Sequence, residues 1–164
     1  MARSCVHQQD SMAITEKLKT TPPPLICLVA LLTGLALDAI WPLVSIPGHL
    51  GYVAGSLLIF GSLLAMPSIL IKFRRMNTTF DVRKSPSVFI ADGLYRFSRN
   101  PSYVALVLLF IGLGVVLSNV WVLILIVPAT VIIDRYVIPE EERRLELAFG
   151  DQYRSYKSQV RRWL

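Results

Sequence analysis

Two polar blocks hold the residues able to do chemistry in this chain. Residues 93–103 read GLYRFSRNPSY and gather Tyr95, Arg96, Arg99, Asn100 and Tyr103. Residues 139–156 read PEEERRLELAFGDQYRSY and carry Glu140, Glu141, Glu142 and Glu146. Carboxylates accept hydrogen bonds from hydroxyl and ammonium donors, and charge strengthens those bonds. Asn100 precedes Pro101, which biases Asn100 toward extended backbone and opens a helix. The free amides of such a start suit a carboxylate or similar group. Each block also has a plain structural reading. Glu140 can pair with Arg144 on a solvated helix face, Glu142 and Glu146 repel at the same spacing, and the arginines can grip phosphates.

The elements that must position these blocks are apolar. Of 164 residues, 54% are hydrophobic and only 17% charged, an excess that points to a membrane protein of one domain. A spanning helix needs about 20 apolar residues. Residues 25–44 and 50–71 qualify, with Pro42 and the stretch 45–48 marking the turn between them. Pro67 is a bend point in the second. The run 103–133 would reach roughly 46 Å as one helix, against about 30 Å of hydrocarbon. Ser118 and Asn119 are its polar interruption, so a tight turn belongs there. That gives spans near 101–117 and 120–138. The expected fold is therefore all-α and integral to the membrane, with four transmembrane helices and a helical C-terminal segment.

Charge fixes the topology. Of the 17 Lys and Arg residues, three precede the first span, seven lie between the second and third, and seven lie at or beyond the end of the fourth. Four spans put all of them on one face, and three spans would not. By the positive-inside rule that face is cytoplasmic, as in a bacterial-type inner membrane, with both termini and both polar blocks on it. The net charge of +6 then fits anionic headgroups better than nucleic acid. Residues 1–24 are expected to form a polar tail ending in a triproline, and 25–164 the membrane domain. After a break at Gly150, Tyr153, Tyr156, Val160 and Trp163 recur at helical spacing among basic residues, as aromatic anchors of an interfacial helix would. Cys5, Cys27, His7 and His49 have no metal-ligand spacing. Asp38 and Asp134, acids within or beside spans, are read as structural. Nothing in the sequence speaks to oligomeric state.

The order and spacing of residues 93–103, the apolar hairpin, Glu141-Glu142, Phe149-Gly150, Tyr153, Tyr156 and Val160 resemble the isoprenylcysteine carboxyl methyltransferase family, to which the phospholipid methyltransferases are more distantly related. The resemblance covers about residues 87–163. It implies an S-adenosylmethionine-dependent enzyme that takes its cofactor from the cytoplasm and a lipophilic or lipid-like acceptor from the bilayer. Carried over, it assigns cofactor contacts to Ser87, Val88, Phe89, Ile90, Tyr95, Asn100, Pro101, Ser102, Tyr103 and Glu141, with Glu142 beside them. Arg99 and Asn100 are positioning candidates, with no catalytic base assigned. Many members have His where Asn100 stands, and Asn is no base at neutral pH. An Arg that meets the substrate in those enzymes is replaced by Val137, leaving Arg135 as the nearby cation. The acceptor, a carboxylate, thiol or amine, is therefore open. Two other readings use the same features: a non-catalytic lipid-binding or scaffold protein, and a membrane reductase of the sterol-reductase type.

Overall fold

A computed structural model describes residues 16–43, 48–75 and 91–164, with side chains described outside 67–75. The described residues are helical, without strands. Helix α1 spans Pro23–Ile40, α2 Gly48–Arg75, α3 Pro101–Val116 and α4 Val120–Ile132. A π turn, Ile133–Val137, carries α4 without a break into α5, Ile138–Phe149. Gly150 then reverses the backbone at φ 52° into α6, Asp151–Gln159. A 3-10 turn, Gly93–Arg96, precedes α3. Among the described residues, three helices are long and apolar enough to cross a membrane (Pro23–Ile40, Gly48–Met66 and the continuous Val120–Phe149), and Pro101–Val116 is a shorter apolar helix.

Two starts follow proline chemistry. The triproline stands at the start of the first long helix. Pro22 caps α1 and Pro23 opens it, because a missing N–H costs nothing in the first helical turn. Pro101 opens α3 in the same way. Ahead of α1, residues 16–20 already form a helical turn, with Lys19 donating to Glu16 at 2.7 Å. Helix α2 runs on through Pro67.

Between α3 and α4 the chain turns at 117–119. Ser118 takes a left-handed φ of 53°, Asn119 N–H donates to the Gly114 carbonyl and Ser118 N–H to that of Val115, a Schellman ending with serine in the usual glycine place. Asn119 then caps α4, its Oδ1 accepting from Val122 N–H at 2.9 Å. Each side of this hairpin receives one further helix, α2 on α3 and α1 on α4. The approach is close because glycine lines it. A Cβ on Gly112 would stand 2.8 Å from the Gly55 carbonyl oxygen, and one on Gly34 2.8 Å from the Val122 nitrogen. Trp121 Nε1 donates to the Trp41 carbonyl at 2.8 Å, tying α1 to α4 at the hairpin's turn end.

The C-terminal aromatics depart from the anchoring role expected of them. Tyr153 and Tyr156 are buried in the protein, Tyr156 donating to the Tyr95 carbonyl at 2.6 Å, and Trp163 donates to Asp134 at 2.9 Å. The polar tips of Tyr156 and Trp163 find partners inside the molecule, so these side chains hold α6 and the final residues against the protein.

The glycine contacts give a direct test. Gly112→Ala should lower stability by roughly 1–3 kcal/mol through overpacking, although alanine is the better helix former. Gly61→Ala, where an added Cβ meets nothing within 4 Å, should leave stability unchanged or slightly raised. Thermal unfolding of both variants in detergent checks the contrast.

Candidate functional site

Both polar blocks lie at the open end of the hairpin, away from the Ser118 turn, and two interactions join them. The first is short and direct. Tyr103, in the first turn of α3, donates to Glu141 Oε2, in the first turn of α5, at 2.6 Å. Oε1 of Glu141 has no partner among the described residues. Glu141 as a whole is partly exposed, while its carboxylate is closely enclosed by protein.

Tyr95 stands beside this pair. Burial pushes its phenol well above the usual tyrosine range, and the nearby Glu141 charge and Tyr156 add to the rise. The backbone carbonyl of Tyr95 is held by Tyr156. Burial raises that phenol to about 12, against the lowering influence of Arg99, so it stays protonated and donating at neutral pH. Tyr95, Tyr103 and Glu141 thus form one cluster drawn from the 3-10 turn, α3 and α5.

The second junction is ionic. Glu142 is buried. Its carboxylate lies 3.2 Å from Arg99 Nη1, 3.0 Å from Arg162 Nη2 and 3.8 Å from Lys157 Nζ. Arg162 reaches Asp134 as well, at 3.3 Å, and Lys157 reaches Glu146 at 3.5 Å. These three acids and three bases balance, which offsets the cost of burying Glu142 and Arg99 at the centre, while Asp134, Glu146, Lys157 and Arg162 stay partly exposed. Lys157 also offsets the repulsion expected between Glu142 and Glu146. Glu140 faces elsewhere, bonded to Arg143 and to Arg144 at 2.9 and 3.0 Å.

The π turn makes the Asp134–Glu142 bridge possible. Eight residues of regular α-helix would set these two side chains about 80° apart around the axis. A π turn absorbs roughly one residue of rotation and brings them to within about 20° of one face.

Other residues named from sequence fall in different places. Asn100 is buried, and its side chain donates to the Arg162 carbonyl at 3.0 Å in place of capping α3. Pro101 is buried beside it, and Ser102 follows at the helix start. Arg99 sits at the edge of the charge cluster with Nε and Nη1 buried and not hydrogen-bonded, although Nη1 remains in ionic range of Glu142. Arg135 is exposed, 3.9 Å from Asp134, and apart from the tyrosine–glutamate group. Ser87, Val88, Phe89 and Ile90 lie outside the described residues.

Asp134, Ser98, Lys157, Arg162 and Trp163 take part in holding the site and were not picked out as doing so. One signal for them existed. An acid at the end of an apolar helix requires a partner, and the neighbouring Arg135 supplies only the long contact. The stronger partners come from residues 162 and 163.

The family model described as phospholipid methyltransferase matches residues 50–152. An uncharacterized protein of Haemophilus influenzae is 37% identical over 62 residues, which are 38% of this chain and 98% of that protein. The solved structure of the eukaryotic intramembrane Ras methyltransferase ICMT (isoprenylcysteine carboxyl methyltransferase) has a similar fold, with TM-score 0.60 and 21% identity over 83% of this chain. The match covers 49% of that chain, so this protein spans about half its length.

The charge cluster should dominate local stability. Glu142→Gln leaves Arg99 and Arg162 without their shared carboxylate and should cost about 3–5 kcal/mol, whereas Arg143→Ala, which breaks an exposed surface pair, should leave stability close to that of the wild type. Denaturation of the purified variants in matched detergent reads the difference.

Proposed function

The chain belongs to the phospholipid methyltransferase family, and we propose that it transfers a methyl group from S-adenosylmethionine to a lipophilic acceptor at the bilayer surface. The observation that carries this reading is the Tyr103–Glu141 pair, with Tyr95 beside it and the second carboxylate oxygen of Glu141 without a hydrogen bond among the described residues. That donor and acceptor set suits a ligand with a ribose and an amino-acid tail. Glu141 can accept from a hydroxyl or ammonium group, and the tyrosines can enclose the uncharged portions. Bound S-adenosylmethionine supplies an electrophilic methyl group on a sulfonium centre.

The work of the chain is then positioning. Glu141 and Tyr103 orient the donor, Tyr95 and its support from Tyr156 exclude water from one side, and the apolar hairpin presents an acceptor drawn from lipid. Holding two reactants in line and out of water accounts for much of the acceleration of such a displacement. Asn100 has no base chemistry to offer. An acceptor already carrying a lone pair at neutral pH, such as a carboxylate or thiolate, therefore demands the least of this site.

In this reading all four apolar helices cross the bilayer, and the site, both ends of the chain and the basic residues share the cytoplasmic face. The Glu16 charge acts on Arg143, which supports reading residue 16 at the same end as α5. Trp41 and Trp121 mark the opposite end, where aromatic residues favour the interface.

Glu141→Ala should abolish binding of S-adenosylhomocysteine measured by calorimetry in detergent, with the helical circular dichroism and melting of the wild type retained. Tyr103→Phe should weaken binding about tenfold, as for loss of a hydrogen bond to a charged group. Glu140→Ala should bind as wild type, since Glu140 serves Arg143 and Arg144. Wild-type affinity in Glu141→Ala would remove the site from this reading, and absence of nucleoside binding by the wild-type protein would favour a lipid-binding scaffold.

A further inference from the structure

At Val160 the chain leaves helical geometry (φ −118°, ψ 135°), and the residues after it bond to Arg99 ahead of α3 and to Glu142 in α5. Its backbone attaches to the first polar block. Arg99 N–H donates to the Arg161 carbonyl at 2.9 Å, while Asn100 Nδ2 and Ser98 Oγ donate to the Arg162 carbonyl at 3.0 and 3.3 Å. Ser98 Oγ in turn accepts from Asn100 N–H at 3.1 Å. The side chains attach to the other block. Arg162 Nε and Nη2 donate to the two oxygens of Glu142, at 3.3 and 3.0 Å, and Nη1 to Asp134 at 3.3 Å. Trp163 Nε1 donates to the same Asp134 oxygen.

We propose that Arg162 is a positioning residue, which sets the separation of Tyr103 from Glu141 by gripping one block through its carbonyl and the other through its guanidinium. It touches neither Tyr103 nor Glu141. Asn100 lies three residues before Tyr103 and Glu142 lies next to Glu141, so both grips fall within about one helical turn of the pair that they align. A planar guanidinium can hold two carboxylates at fixed angles, which an ammonium cannot. The geometry assigns roles to three other residues. Asp134 holds the guanidinium, Trp163 holds Asp134, and Asn100 acts through its side-chain amide. The π turn is what lets one arginine span Asp134 and Glu142. The binding part of this proposal rests on the cofactor reading above, and the structural part does not.

The experiment uses the full chain in detergent with two readouts, backbone hydrogen exchange and calorimetric titration with S-adenosylhomocysteine. In Arg162→Gln, protection should fall over residues 97–104 and 140–146 and persist in α1, α2 and α4. Affinity for S-adenosylhomocysteine should drop at least about tenfold, as when one partner of a buried charge pair is removed. Arg162→Lys, which keeps the charge and loses the planar fork, should fall between the two. Unchanged protection at 97–104 overturns the proposal. So does protection lost evenly across all helices, which is the signature of a purely structural residue. Should the wild type bind no S-adenosylhomocysteine, the cofactor reading fails and the exchange result alone decides the role of Arg162. If Arg162→Gln does not fold, Asp134→Asn, which spares the Glu142 contacts, carries the same test. Its exchange should loosen around residues 98–100 and 162–163, and wild-type exchange there would overturn the proposal.

Discussion

Glu142 is the point on which the functional end of this molecule depends. Its buried carboxylate faces Arg99 from the loop before α3, Lys157 from α6 and Arg162 from the terminal segment. No two of those cations belong to the same element. A single desolvated charge therefore specifies how three separately folded pieces meet. Its attraction must offset a desolvation cost of several kcal/mol per ion, which is possible only when each partner arrives in good geometry. That requirement explains the extra carboxylates, Asp134 and Glu146, which leave the cluster neutral.

The membrane part obeys different rules. Between apolar helices in lipid there is little hydrophobic gain, so close contact and hydrogen bonding decide the packing. Gly34, Gly55 and Gly112 supply the close contact. Asn119 and Trp121 supply polar ties where the hairpin turns. The scaffold thus fixes its register at one end with glycine packing and caps, and at the other with ions. The Tyr103–Glu141 bond sits at the ionic end, on the two helices that the turn at Ser118 makes antiparallel.

Much of this was legible in the sequence. Apolar run lengths showed an all-helical membrane protein, and the block from Gly93 to Tyr103 together with Glu141-Glu142 pointed to the membrane methyltransferase family. Proline and polar positions marked helix starts and the hairpin turn. Three features were not legible, for physical reasons. Helical spacing shows that Tyr153 and Tyr156 share a face, yet it does not say whether lipid or protein covers that face. Pairings at long separation, such as Arg162 with Glu142, leave no local pattern. A π turn has no composition signal of its own, and without it Asp134 and Glu142 project onto different faces. Arg135, beside Asp134 in sequence, was the visible cation, while the stronger partner lay 28 residues further on.

The π turn at Ile133–Val137 carries one more consequence. It behaves as a single inserted residue within an otherwise α-helical rod, and everything beyond it is rotated by that insertion. The identity of the exposed apolar residues of α4, such as Ile124, Val127 and Val131, is free to drift, since lipid tolerates exchange. The number of residues in the helix is not. Gain or loss of one residue between Asn119 and Glu141 would turn the acidic block by about 100° relative to Tyr103. The hairpin therefore acts as a ruler read in whole residues, and natural relatives that keep this ion cluster should differ freely in the spelling of this helix and very little in its length.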